Sequence, residues 1–170
     1  APRRMKLLGP DDDRAERVLT RKVVLSILAG SLMTLIPVIA TVPFLPPCGL
    51  LMFLAWRLLR PGTLPVWAAA PLGLFDDLVS GQPLGSAMLL WQVCSLMLDL
   101  VDTRLFARDF WQDWLLAGGA VALCLFAGRV FATGLSAHVD TVLLFQTFVS
   151  VALFPAATRL CTALAGREDE

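Results

Sequence analysis

Apolar runs broken by proline, glycine or charge set the plan of the chain. The first, Val23 to Leu45, is uncharged. At 1.5 Å per residue it is about 35 Å long, enough to cross a bilayer with some tilt. Cys48 to Leu59 is shorter, preceded by Pro43, Pro46 and Pro47 and closed by Arg57, Arg60 and the Pro61-Gly62 turn pair. Pro65 to Val79, Leu84 to Val101, Leu115 to Phe131 and Val139 to Leu160 follow. Periodicity and punctuation together predict six transmembrane helices, the second and third being the weakest, with a re-entrant pair as their alternative.

Composition supports lipid as the solvent. The 170 residues are 57% hydrophobic, with a mean hydropathy of +0.73. Spans of about 20 residues with short turns leave room for about six crossings and no soluble domain. The expected organisation is a basic cytoplasmic tail over 1–22, a compact all-α six-helix transmembrane bundle over 23–160, and a short cytoplasmic tail over 161–170. The opening stretch has no signal-peptide pattern, so the first apolar run is expected to stay as an anchor.

Charge then orients the bundle, because cytoplasmic loops keep Lys and Arg. With both termini cytoplasmic, the inner segments hold Arg3, Arg4, Lys6, Arg14, Arg17, Arg21, Lys22, Arg57, Arg60, Arg104, Arg108, Arg159 and Arg167. That is 13 of the 14 basic residues, with only Arg129 outside. Five spans plus one re-entrant loop would export one end and place Arg159 and Arg167 on the wrong side.

Net charge is zero, so no basic field points to nucleic acid. The four cysteines, Cys48, Cys94, Cys124 and Cys161, form no C-x-x-C and read as small apolar packing residues, not as a metal site or disulfides. No catalytic triad, H-E-x-x-H or phosphate-cradling glycine loop is present, and His138 reads as a span-end residue. No enzyme, cofactor or metal is expected.

Three stretches carry candidate interactions. The segment 102–114, DTRLFARDFWQDW, mixes charge with Phe106, Phe110, Trp111 and Trp114; it suits the headgroup layer, lying flat on membrane lipid or docking a partner. Ala117, Gly118, Gly119, Ala120 and Ala122 offer a small-residue face, for packing inside the bundle or against another protein. The third stretch, PLGLFDDLVSGQPLG over 71–85, places Asp76 and Asp77 at the end of the third run. Carboxylates there oppose the helix dipole unless they cap the next helix or meet a cation, and Arg129 is the natural cation. The alternative is that both are solvated among outer headgroups. About 100° apart on a helix, they are expected to divide: Asp77, one turn beyond Gly73, faces the bundle, and Asp76 faces water.

The order Gly73, Asp77, Gly81, Pro83, Gly85, in the third run of a small six-span chain with a basic N-terminal tail, resembles MreD, the rod shape-determining membrane protein family of bacteria. The resemblance implies a multi-pass protein of the inner membrane with the fold of the S-components of energy-coupling-factor vitamin transporters. It further implies a non-enzymatic scaffold in the cell-elongation complex. Such a protein binds the bitopic MreC and works with RodA, a class B penicillin-binding protein and MreB in peptidoglycan synthesis. The fold likeness keeps a second role open, a vitamin-binding transporter subunit.

Overall fold

The computed structural model describes residues 10–35, 46–81, 83–104, 110–133 and 141–166. All regular structure among them is helical: α1 (Pro10–Leu32), α2 (Cys48–Leu59), α3 (Ala69–Ser80), α4 (Ser86–Arg104), α5 (Phe110–Thr133) and α6 (Thr141–Ala165). Short 3-10 turns follow α1 at Met33–Leu35 and precede α3 at Val66–Ala68. Among the described residues, two helices are long and apolar enough to cross a membrane, through Trp111–Val130 and Leu143–Ala165.

The element order matches the apolar runs, and the boundaries of α1 depart from them. Its helix starts at Pro10, where proline's missing N–H costs nothing, so the charged stretch to Lys22 continues the helix of the first run. The second half of that run, 36–45, lies outside the described residues.

The Cys48–Leu59 run forms α2 with the expected bounds, and every residue from Gly49 to Leu58 is buried. Twelve residues give about 18 Å, too short to cross about 30 Å of hydrocarbon unaided. Both ends of α2 continue into protein, with Pro46 and Leu64 buried.

α2 occupies the centre. Around it α1 packs on α3, α3 on α4, α4 on α5 and α5 on α6, while α1 and α6 also pack on α2. Phe53 stacks on Trp91 of α4 at 5.2 Å between ring centroids, and the Trp56 indole N–H donates to Ser26 Oγ of α1 at 2.8 Å. The loosest seam lies between α6 and α1, where an apolar groove of about 640 Å³ opens onto α2.

α6 contains Pro155, which has no N–H to give Val151, four residues back. The indole N–H of Trp114, on α5, donates to the Val151 carbonyl oxygen at 3.0 Å and replaces the missing bond. Trp114→Phe keeps the ring and removes the donor, so it should cost about 1–2 kcal/mol. Thermal unfolding in detergent, compared with Trp111→Phe at an exposed position, checks this.

The described residues of the segment 102–114 belong to the two neighbouring helices. Residues up to Arg104 finish α4 and Phe110 starts α5, with 105–109, and so Phe106, outside the described residues. Trp111 and Trp114 sit in the first turns of α5, edge to face at 5.6 Å. Of the small-residue face, Ala117 is buried and a Cβ on Gly118 would come into ordinary contact with Val151 of α6, while a Cβ on Gly119 would meet open space. Packing within the bundle therefore takes the first part of that face.

Candidate functional site

The 71–85 stretch folds as a helix, a break and a helix. Gly81 ends α3 in the left-handed region at φ 69°, and its N–H donates to the Asp77 carbonyl oxygen at 3.1 Å. Gly85, at φ 94°, sets the entry to α4, and the Ser86 N–H donates to the Pro83 carbonyl oxygen at 3.1 Å. The two positive φ values require glycine or a strained substitute.

Gly73 acts about two turns before Gly81 and for another reason. A Cβ there would lie 2.7 Å from the Ala87 carbonyl oxygen and 2.8 Å from Met88 Cα, both backbone atoms of α4. Backbone cannot move aside as a flexible side chain does, so Gly73→Ala should separate α3 from α4 and cost about 2–3 kcal/mol. Gly119→Ala, where the space is open, should be close to neutral in the same melting experiment.

Asp77 holds the hairpin shut. It is 1% exposed, and its carboxylate accepts from four donors at the start of α4. Oδ2 takes the N–H groups of Gly85 at 2.9 Å and Met88 at 3.3 Å; Oδ1 takes the Ala87 N–H at 2.9 Å and the Ser86 hydroxyl at 3.0 Å. A helix leaves its first N–H groups without partners, and here a carboxylate from the preceding helix supplies them while meeting the positive end of the α4 dipole. Of the two partners that the sequence leaves open, the next helix takes this role. Both oxygens are filled by these donors, and the expected ion pair with Arg129 is not among them.

Asp76 departs from expectation. It is buried and turns inward, toward α1 and α2. Its Oδ1 lies 3.0 Å from the position a Cβ on Gly49 would take, against the first turn of α2. Adjacent carboxylates thus serve two helices, Asp77 at the start of α4 and Asp76 at the start of α2, each at a positive dipole end. α1 and α2 cross closely beside Asp76, where a Cβ on Gly30 would meet the Cys48 backbone at 3.1 Å. Asp76 also lines a small cavity of about 40 Å³ with Pro47, Trp91 and Cys124.

At the opposite end of α2 the structure holds a second polar centre that the sequence reading overlooks. Arg57 is 4% exposed and pairs with Asp99 of α4, while its second terminal nitrogen donates to the Leu64 carbonyl oxygen at 3.5 Å. The signal was an acid inside the fourth apolar run and a base inside the second, at the same end of both helices.

Of the sequence-derived site residues, Gly73, Asp77, Gly81, Pro83 and Gly85 come together in one hairpin. His138 lies outside the described residues. No cluster of three or more metal-ligating side chains occurs among the described residues.

Polar groups that cap and pair helices, in a chain whose described residues form only helices and include two fit to cross a membrane, define a structural helical protein. The comparison with protein families gives the class its identity. The chain belongs to the family of the rod shape-determining protein MreD, whose model matches residues 16–163 and so takes in all of α2 to α5 and most of α1 and α6. Membership assigns it to the determination of rod shape. No curated protein and no solved structure matches the chain.

Proposed function

We propose that the protein is a non-enzymatic, six-span component of the elongation complex in the bacterial inner membrane, with both termini cytoplasmic. It binds the single transmembrane helix of an MreC-like protein and so supports peptidoglycan synthesis with RodA, its class B transpeptidase and MreB. Family membership supports the setting. The 13 to 1 division of basic residues supports the orientation, as do the exposed Trp67 and Trp111 beside the inner segments, where indoles favour the headgroup layer. The buried ends of α2 support six crossings despite its length, since irregular backbone at membrane depth is tolerated where protein encloses it.

The observation that carries the partner reading is the groove between α6 and α1. Leu25, Ala29, Met33, Leu153, Ala157 and Leu160 line it, and small residues on both walls leave room for a helix to lie against α2. The same lining weighs against a vitamin site. It offers Lys22, Ser26 and Cys48 as its polar groups, while the polar cavity at Asp76 has about 40 Å³, far below a ligand pocket.

The test is co-purification after mild cross-linking in native membranes. The wild-type chain should bring down a single-span MreC-like protein, and Ala157→Trp, which fills the groove, should lose it at unchanged protein level. A wild-type chain that purifies alone overturns the partnership. Unchanged capture by the variant moves the contact elsewhere.

A further inference from the structure

Cys94 on α4 and Cys124 on α5 bring their sulfurs to 3.4 Å inside the bundle, both as free thiols. A disulfide needs about 2.05 Å, so each sulfur has to move only about 0.7 Å, within reach of small side-chain rotations. The two thiols do not have equal surroundings. Cys124 lines the small cavity that Asp76 also lines, whereas Cys94 is 2% exposed and faces the Ala120 carbonyl oxygen at 3.9 Å. A cavity of about 40 Å³ holds a molecule the size of one or two waters and excludes larger oxidants.

We infer that Cys94 and Cys124 form a dithiol that hydrogen peroxide oxidises to a disulfide. Hydrogen peroxide supplies the oxidising equivalents. One of the two sulfurs attacks a peroxide oxygen, an S–O bond forms, the O–O bond breaks, and the departing hydroxide leaves with that thiol's proton as water. The other thiol then attacks the sulfenic sulfur: the S–S bond forms, the S–O bond breaks, and the second hydroxide leaves with its proton as water. Two thiols lose two electrons in total, and one peroxide becomes two waters. The product ties α4 to α5 beside the Asp76 carboxylate.

This inference stands apart from the partner reading, because its readout is a thiol count on the protein alone. The full chain in detergent is treated with hydrogen peroxide, denatured, labelled with a maleimide and weighed. Labelled thiols should fall from four to two, with Cys48 and Cys161 still labelled, and a reductant should restore four. In Cys94→Ser and in Cys124→Ser no bridge should form. Four thiols remaining under peroxide that oxidises an exposed control thiol overturns the inference, as does a bridge that includes Cys48 or Cys161. The wild-type peptide map needs no variant to fold, so a misfolded substitution leaves the test standing.

Discussion

Asp77→Ala is expected to be the most damaging single substitution in the protein, at about 3–5 kcal/mol. It strips the N–H groups of Gly85, Ala87 and Met88 and the Ser86 hydroxyl of one shared acceptor, in a place where water has no ready access. Each orphaned donor costs its own desolvation. Asp77→Asn is expected to fall between wild type and alanine, since it keeps one acceptor and turns an amide N–H toward donors. Asp76→Ala should cost less, about 1 kcal/mol, because it loses a favourable dipole contact and opens onto a cavity that water can fill. Melting in detergent ranks the three, and cell shape at matched protein level gives the functional counterpart. A tolerated Asp77→Ala beside a disabling Asp76→Ala would overturn the ranking.

The second large effect belongs to the other end of α2. Asp99→Ala leaves a nearly enclosed guanidinium without its counter-charge and should cost about 3 kcal/mol, the lower end of the range because the Asp99 side chain is 36% exposed. The cost lies in the stranded charge more than in the lost attraction. Replacing both partners, as Arg57→Met with Asp99→Leu, should therefore recover most of the stability. The double variant is the measurement that separates the two causes. If it melts as low as Asp99→Ala, the pair itself was supplying the stability. On the proposed topology Arg57 is also one of the residues that orient the chain, so topology is checked in parallel by cysteine labelling from outside the cell.

The part of this architecture visible in the sequence is the part written in punctuation. Pro46 and Pro47 before Cys48, and Arg60-Pro61-Gly62 after Leu59, bracket α2 to the residue because backbone chemistry alone stops a helix there. Gly81 and Pro83 mark the break before α4 in the same way. Charge is a poorer marker. The stretch 10–22 reads as a tail because it is polar, yet polarity does not forbid a helix that runs on into the first apolar run. Asp76 shows a different failure. Ala69, Leu72, Gly73, Asp76 and Asp77 are the buried residues of α3, spaced as one stripe at the helical period. The stripe was legible. Dividing the two aspartates by their 100° separation overlooked that a stripe wide enough for Leu72 and Gly73 is wide enough for both.

Contacts between distant helices were beyond reach for a plainer reason. Arg57 meets Asp99, Trp114 meets Val151 and Cys94 meets Cys124 only once the register of each helix against its neighbour is fixed. A single sequence gives the face of a helix but not its height against the next one. The expected Asp77–Arg129 pair was matched by side of the membrane, without knowing that four donors at the start of α4 reach the carboxylate.

The carboxylate that closes the α3–α4 hairpin also sets an order of events during biogenesis. Taken alone, α3 is twelve residues long and carries two acids, each costing about 2.5–3.5 kcal/mol at the centre of a span. It is a poor candidate to leave the insertion machinery for lipid by itself. The donors that satisfy Asp77 are made only when residues 85–88 have been synthesised and wound into the first turn of α4. On the six-span arrangement proposed above, α3 enters lipid only together with α4, as a pair. A chain cut short before residue 85 would leave that third helix outside the lipid.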